Sequence, residues 1–225
     1  MCGRFTLRTP ASVIAAQFAL LEVSPFAPRF NIAPSQPAPV IRLRPGRLAQ
    51  RELVWLRWGL IPSWADDPRI GNRTINARAE TAAERPAFRA AFRQRRCLIV
   101  ADGFYEWQSS GSRKQPYYIH LEQQQPFAIA GLWETWEGPD HAAIESCTLL
   151  TTEPNSLVRP IHDRMPAIVA PDEYTAWLDP TQQRPEQLLP LLQPYPSEAM
   201  TAYQVSPRVN SPAIDDPQCI EPVAR

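Results

Sequence analysis

The chain of 225 residues carries 23 Lys+Arg and 23 Asp+Glu, and 44% of its residues are hydrophobic, a composition typical of a globular protein with a substantial core. Its 26 prolines and 8 glycines argue against long uninterrupted helices. No apolar run reaches the ~20 residues of a membrane helix and no signal-peptide core opens the chain, which predicts a cytoplasmic protein with no membrane partner.

The first half of the chain is predicted to contain short helices around a hairpin. Residues 10–20 follow a capping threonine and begin with proline, and their apolar stripe predicts a helix. Residues 40–44 and 51–60 alternate apolar and polar side chains, as the two half-buried strands of a hairpin do. Two further short helices are predicted over residues 77–84 and 86–94.

The second half is predicted to be richer in strands. Residues 97–107 are typical of a buried strand that turns at Asp102-Gly103. From Pro194 onward no regular pattern is present, so an irregular tail is expected over about residues 194–225. This order of elements favours a single α+β domain, residues 1–225, with a curved and mainly antiparallel sheet. Further strands are predicted over 116–122, 126–136, 145–152 and 165–170, and helices over 171–178 and 184–192.

The cysteines and the charges limit the class of site. The four cysteines are far apart and form no CxxC pair, so neither a zinc site nor a disulfide framework is predicted. Phosphate-loop and dinucleotide motifs are also missing, and we expect no metal and no cofactor. Residues 69–96 contain eight arginines against two glutamates. Such a cluster is either an electrostatic footprint for a polyanion or a solvated surface that the acidic second half neutralises.

Cys2 is the first candidate for chemistry. Removal of Met1 would leave Cys2 with an α-amine and a thiol on adjacent carbons. An aldehyde can condense with this amine to an imine, and the thiol can then close a five-membered thiazolidine ring. An α-amine ordinarily has a pKa of about 7.7–8.0, so a useful fraction is neutral near physiological pH. Cys2 can also be the nucleophile of an amide hydrolase, or a structural residue near the chain end.

Two titratable residues are candidates for proton transfer. Glu106 follows the Asp-Gly turn among aromatic side chains, which tend to raise the pKa of a carboxyl group. His162 lies between two prolines in RPIHDRMP, and histidine titrates near neutrality. Taken alone, each residue more often has an ordinary role, Glu106 as a surface glutamate on a turn and His162 as a hydrogen-bonded loop histidine.

Asn76 and Arg78 are candidates for orientation and anion binding. They lie in INARAE at a predicted loop-to-helix junction, where an asparagine either orients a neighbour or caps the helix. An arginine at such a place can bind a phosphate with two hydrogen bonds. Trp107 and the other tryptophans are core candidates first, although an exposed tryptophan can stack on an unpaired base.

Eight stretches of the chain occur together in one order. In these stretches the chain resembles the SRAP family, the abasic-site processing proteins first called SOS-response-associated peptidases. The resemblance covers about residues 2–180. The stretches are MCGRF (1–5), NIAPSQ (31–36), WGLIPSWA (58–65), INARAET (75–81), CLIVADGFYEW (97–107), PFAIAGLWE (126–134), TTEPN (151–155) and IHDRMP (161–166).

The resemblance implies a single SRAP-type domain that senses abasic sites in single-stranded DNA. It implies a covalent thiazolidine crosslink that forms through Cys2 after Met1 is removed and protects the lesion during replication and repair. We separately expect the protein to be a monomer. By the same resemblance Cys2 is the nucleophile and Asn76 orients it. Glu106 is implied as the acid/base, and His162 as the residue that helps to open the sugar and to release the adduct.

The DNA contacts are implied in the same way. On physical grounds, unpaired bases can also stack on an aromatic wall such as Trp107. Some relatives carry a tryptophan pair just before the INAR stretch, which wedges the DNA. This chain has DDPRIGNRT there, so the wedge is expected from Ile70 or Trp64. The arginines that match phosphate ligands are Arg4, Arg78 and Arg164.

Other functions stay open from the sequence. An imine at the sugar acidifies the adjacent carbon, so β-elimination lyase chemistry can accompany capture. The same residues suit a cysteine-dependent autopeptidase that removes Met1, or Cys2 is incidental in a non-covalent reader of modified bases. The arginines of residues 69–96 favour DNA, because an amide hydrolase has no need of phosphate ligands.

Overall fold

The computed structural model describes residues 2–111, 113–139 and 141–223. Its strands are β1 (Arg4–Leu7), β2 (Arg29–Ile32), β3 (Pro37–Arg44), β4 (Arg47–Trp58), β5 (Asn76–Arg78), β6 (Arg96–Ala101), β7 (Gly103–Ser110), β8 (Arg113–Leu121), β9 (Phe127–Glu137), β10 (Ala143–Thr152), β11 (Met165–Pro166), β12 (Ile168–Val169) and β13 (Met200–Gln204). Its helices are α1 (Ala11–Gln17), α2 (Ala79–Ala82), α3 (Arg89–Gln94), α4 (Tyr174–Leu178) and α5 (Pro185–Leu188). Turns of 3₁₀ helix cover Pro68–Arg73, Pro171–Glu173, Leu189–Leu192, Ser197–Ala199, Pro207–Asn210 and Pro217–Ile220.

Five strands of the larger sheet close into a barrel. Its strands follow the order β10-β4-β3-β6-β9, and β9 pairs with β10 again, so the sheet returns on itself. Its pairs are antiparallel except that β10 runs parallel to β4, and β5 also joins β10 in parallel. The predicted hairpin is confirmed as β3–β4, with Val40 opposite Val54. The prediction of an α+β fold with a mainly antiparallel, curved sheet is confirmed.

The second sheet carries the N-terminal strand. Its order is β13-β8-β7-β1-β2, with all of its pairs antiparallel. The strand β1 is therefore an interior strand, paired with β7 on one side and with β2 on the other, so Cys2 and Gly3 lead into a strand that is held on both sides. This placement fixes the start of the chain against β7, which carries Glu106 and Trp107.

A single residue joins the two sheets at the predicted Asp102-Gly103 turn. The buried Asp102 carboxylate accepts hydrogen bonds from the backbone N–H groups of Arg8 (2.6 Å) and Thr9 (2.9 Å) and from the Thr6 hydroxyl (2.5 Å). A Cβ atom at Gly103 would lie 2.1 Å from the Tyr118 hydroxyl, so only glycine fits there. The turn between barrel and second sheet therefore also fixes the end of β1.

The expectation of an irregular segment from Pro194 is wrong for part of that segment. The strand β13 pairs with β8, from Met200 opposite Leu121 to Gln204 opposite Tyr117. Beyond it, Val209 and Cys219 are buried against Tyr105 and Tyr118 in a second hydrophobic cluster. A short edge strand owes its structure to a partner far away in sequence, so its own pattern carries little signal.

The predicted helices are shorter in the structure because prolines and strand pairing interrupt them. Residues 76–78, predicted as helix from 77, form β5 beside β10 before α2 begins. The predicted helices over 171–178 and 184–192 each divide into a 3₁₀ turn and a short α-helix. Within the described ranges, no helix has the length and apolarity needed to cross a membrane.

Candidate active site

Cys2 lies two residues before Arg4, the first residue of β1, and is completely buried. The side-chain amide of Asn76 donates a hydrogen bond to the Cys2 carbonyl oxygen at 2.8 Å. Burial raises the pKa of the Cys2 thiol far above its ordinary value, and the nearby Glu106 carboxyl raises it further. The thiol is therefore neutral until a base removes its proton, and Glu106 is close enough to act on it electrostatically.

Asn76 is held by the barrel, since β5 pairs with β10 with Asn76 opposite Leu149. Its Oδ1 is buried and has no hydrogen-bond partner among the described residues. One end of the amide thus holds Cys2, and the other offers an acceptor for an N–H group. The capping role considered from sequence does not occur, because α2 begins after Arg78 without a side-chain cap.

Glu106 projects from the middle of β7 and is 1% exposed. Burial raises its pKa to about 7, and the carboxylate of Asp163 adds to the increase. A carboxyl group with this pKa both gives and takes protons near neutral pH. Glu106 is therefore suited to general acid/base work.

His162 lies in the loop between β10 and β11, with its Nε2 3.9 Å from Oε2 of Glu106. The Arg164 backbone N–H donates to its Nδ1 at 3.0 Å, which places the proton of the neutral ring on Nε2, toward Glu106. Burial is the largest influence on this ring and lowers the pKa of His162. Asp163 Oδ1 lies 2.9 Å from the same Nδ1 and opposes that shift by favouring the doubly protonated ring.

The three arginines expected to bind phosphate are in different environments. Arg78 is exposed at the start of α2. The Arg164 guanidinium makes two hydrogen bonds of 2.9 Å to the Glu80 carboxylate and a third, of 2.6 Å, to the Thr151 carbonyl. Arg4 is half-buried and donates to Asn31 Oδ1 (3.1 Å) and to two backbone carbonyls beyond β13. Arg78 is thus the one whose side chain is most open to a ligand.

A cleft of about 380 Å³ brings several of these side chains together. Trp107 forms one wall, and its indole Nε1 donates to Asn210 Oδ1 at 2.8 Å. Sequence reasoning missed Asn210, because it follows β13 in the segment expected to be irregular. It also missed Lys114, which lies on the other arm of the β7–β8 hairpin. The lining residues are Arg4, Glu106, Trp107, Ser109, Lys114, His162 and Asn210.

The residues considered for a DNA wedge differ in exposure. Trp64 is 59% exposed, whereas Ile70 packs against a small buried cluster that contains Ile61 and Trp136. Of the two, Trp64 is the one that presents a large apolar surface to solvent. No group of three or more metal-ligating side chains occurs among the described residues.

Comparison with known proteins identifies the family of the chain. The family model described as SOS response associated peptidase (SRAP) matches residues 1–212. The chain is 45% identical to the abasic site processing protein YoqW of Bacillus subtilis, over 98% of this chain and 99% of that protein. It is 34% identical to the abasic site processing protein HMCES of Xenopus tropicalis, over 87% of this chain and 66% of that protein.

The fold has a close counterpart among crystal structures. A protein from Bacteroides thetaiotaomicron superposes with a TM-score of 0.89 at 28% identity, over 99% of this chain and 100% of that chain. The family match extends over both sheets and over the C-terminal segment as far as residue 212. On these grounds the chain belongs to the SRAP family, the SOS response associated peptidases.

Proposed function

We propose that this protein processes abasic sites in single-stranded DNA, and that it captures them covalently through Cys2 once Met1 has been removed. Relatives that carry the name abasic site processing protein support the substrate class. The observation that carries the chemistry is the meeting of four side chains from four separate parts of the fold. These are Cys2, Asn76, Glu106 and His162.

The first proposed step is imine formation at the ring-opened sugar. The α-amine of Cys2 attacks the aldehyde carbon, a C–N bond forms, and the aldehyde oxygen leaves as water with the two amine protons. Glu106, with a pKa of about 7, gives a proton to the departing hydroxyl and regains one from nitrogen. The neutral amine that this step requires is available because the usual pKa of an α-amine is about 7.7–8.0.

The second proposed step is ring closure. The Cys2 sulfur attacks the imine carbon, an S–C bond forms, and the thiol proton is transferred to the imine nitrogen. Burial keeps the thiol neutral before this moment, so the proton must be carried by a neighbouring base. The Glu106 carboxylate is that base, and the only by-product over the two steps is one water.

His162 is proposed to act on the sugar rather than on the thiol. The pair holds one transferable proton, either on the Glu106 carboxyl, whose pKa is about 7, or on the doubly protonated ring, whose Nε2 lies 3.9 Å from Oε2 of Glu106. Such a pair can protonate the ring oxygen of the closed sugar and, in the reverse direction, the thiazolidine nitrogen. His162 would thereby assist both sugar opening and release.

The DNA strand is proposed to reach this site along basic and aromatic side chains. The exposed Arg78 is the foremost candidate for a phosphate, and Trp107 offers a face for an unpaired base. Arg4 contributes a half-buried positive charge at the cleft. Contacts of this kind position a strand without reading its sequence.

Removal of Met1 by the protein itself is a second candidate activity. The Cys2 thiol is adjacent in sequence to the peptide bond that must break, and Glu106 is close enough to raise the thiol pKa. The family name SOS response associated peptidase is consistent with this activity.

Lyase cleavage of the captured strand would require Glu106 or His162 to take a proton from the carbon next to the imine.

The decisive test is the intact mass of the protein before and after incubation with a single-stranded oligonucleotide carrying one abasic site. We expect the loss of Met1, followed by a gain equal to the oligonucleotide minus one water, stable without reductant and absent with undamaged DNA. Loss of Met1 with no adduct would contradict capture and favour a peptidase or a non-covalent reader.

Two cysteine variants sharpen this test. Cys2→Ser is expected to abolish the stable adduct, since an oxygen ring closes far less readily than a sulfur ring. Cys97→Ala is the matched control, because Cys97 is equally buried but lies in the barrel. A heat-stable adduct that forms at the wild-type rate in Cys2→Ser would remove Cys2 from the mechanism.

A further inference from the structure

We infer that Asn210 is a positioning residue for the DNA-binding cleft, which it completes by orienting the Trp107 indole. The test of this inference with DNA rests on the proposed function, whereas the contact between Asn210 and Trp107 is independent of it. The residue closes the turn Pro207–Asn210, in a segment that carries no motif of the predicted site.

Asn210 contacts two of the residues that line the cleft. Its side-chain oxygen accepts the hydrogen bond of the Trp107 indole at 2.8 Å. Its backbone carbonyl accepts a hydrogen bond from Arg4 at 3.2 Å, beside the Val209 carbonyl, which accepts another at 2.5 Å. One turn of the chain thus orients both an aromatic face and a cation beside Glu106.

The turn that presents Asn210 is itself held in place by buried groups. The Asn31 side chain is completely buried and donates to the carbonyls of Val209 (3.2 Å), Ser211 (3.0 Å) and Ile214 (2.7 Å). The Asp215 carboxylate in turn accepts from the Asn31 backbone N–H at 2.9 Å. The backbone on both sides of Asn210 is therefore held by hydrogen bonds from Asn31. From this fixed backbone the Asn210 side chain contacts Trp107.

An anchored indole should bind an unpaired base better than a free one. Stacking on an aromatic ring loses part of its value when the ring must first be ordered. Removing the Asn210 side chain leaves its carbonyl bond to Arg4 intact, so the effect isolates the indole. We expect weaker binding of the strand with little change in the chemical step.

The kinetic test measures the rate of adduct formation against the concentration of abasic oligonucleotide. In Asn210→Ala the half-saturating concentration should rise about fivefold, the value of one hydrogen bond, while the maximal rate stays within about twofold. Ser206→Ala is the matched control. It removes a side-chain cap from the same turn without touching Trp107 or Arg4, and should resemble wild type.

A double-mutant cycle shows whether the effect passes through the indole. Trp107→Phe keeps an aromatic face but has no N–H group to donate. In that background Asn210→Ala should change the half-saturating concentration by less than about twofold. A full fivefold effect in the Trp107→Phe protein, or none in the wild-type background, would overturn the inference.

A measurement without DNA separates this inference from the proposed function. The indole N–H resonance of Trp107, identified by its loss in Trp107→Phe, should shift and exchange faster with solvent in Asn210→Ala. An unchanged resonance and exchange rate would overturn the inference even if adducts form normally. If wild type forms no adduct, the proposed function fails, and the resonance alone still decides the Asn210–Trp107 contact.

Discussion

Burial has opposite consequences for the protonation of charged side chains in the barrel and in the cleft. In the barrel, Arg96 is 3% exposed and donates to four backbone carbonyls, those of Phe92, Arg93, Trp177 and Asp179. Burial lowers its pKa to about 10, so it remains a cation at physiological pH. In the cleft, burial raises the pKa of Glu106 to about 7, so its charge changes within the physiological range.

The difference teaches which buried charges are structural and which are poised for chemistry. Arg42, also in the barrel, pairs with Glu52 at 2.9 Å and Glu145 at 2.5 Å, and lies 4.3 Å from the centre of the Trp133 ring. Such groups hold one protonation state and link elements together. A buried carboxyl group whose pKa is raised to about 7 lowers the stability of the fold. Such a group is retained where a proton must be transferred.

The largest expected effect is a loss of stability caused by a substitution in the barrel. Arg96→Met should lower the free energy of unfolding by about 3 kcal/mol or more, since carbonyls at the ends of α3 and α4 lose their donor. Urea unfolding measures this loss. The adduct rate per folded molecule should stay at the wild-type value, because Arg96 does not line the cleft.

Arg93→Met is the matched control for that variant. Arg93 lies on the neighbouring helix α3, three residues earlier, but is exposed. Its substitution should change the free energy of unfolding by no more than about 0.5 kcal/mol. Equal losses in the two variants would mean that the buried donor of Arg96 is not what stabilises this part of the barrel.

Glu106→Gln should act in the opposite direction, gaining stability and losing activity. Because the folded pKa of about 7 exceeds the ordinary 4.5, the folded state binds more protons between these values. The free energy of unfolding therefore falls as pH rises through this window, by about 3 kcal/mol in all. The glutamine variant should lack that fall, and should form the adduct about a hundredfold more slowly.

Asp102→Asn provides the contrast to Glu106→Gln. Asp102 is also a buried carboxylate, but it accepts backbone hydrogen bonds from Arg8 and Thr9. An amide keeps only one acceptor oxygen and has an NH2 group in place of the other, so this variant should lower the free energy of unfolding by about 2 kcal/mol near neutral pH. If both carboxyl variants shifted stability in the same direction, the distinction between a structural and a poised carboxylate would fail.

The next effect concerns reversal of the proposed crosslink. His162→Ala should still form the adduct, but release it about tenfold more slowly, because the ring that protonates the thiazolidine nitrogen is gone. The release rate is measured by trapping freed protein with excess abasic competitor. Release at the wild-type rate would withdraw this role from His162.

The sequence named the candidate residues of the site, but not their surroundings. Residue type, neighbouring residues and the resemblance to the SRAP motifs singled out Cys2, Glu106 and His162, whose roles stay predictions. Barrel closure depends on pairing of β10 with both β4 and β9, which no local pattern specifies. For the same reason Asn210 was missed, since its place beside Trp107 depends on a segment 103 residues later in the chain.

The arginines show most clearly what residue type alone does not decide. Arg4, Arg78 and Arg164 were expected to play one role, yet the fold places them in different environments. Arg164 is bound by Glu80. Partial burial tends to raise the pKa of Glu80. The hydrogen bond from Arg164, together with smaller contributions, outweighs the effect of burial, so the pKa of Glu80 is lowered. We therefore expect Arg78 to bind phosphate more strongly than Arg164, whose guanidinium is already paired with the Glu80 carboxylate.

The smallest expected effect tests that distinction. In protein carrying Cys2→Ala, so that binding stays reversible, Arg78→Ala should weaken single-stranded DNA binding a few-fold. It should also reduce the slope of log affinity against log salt by about 0.7, the value of one phosphate contact. Arg164→Ala should change the slope by less than half as much, because the Glu80 carboxylate already neutralises Arg164. If Arg164→Ala reduced the slope more than Arg78→Ala, DNA would have to displace Glu80 from Arg164. The Glu80–Arg164 ion pair would then be a feature of the unbound site that DNA binding breaks.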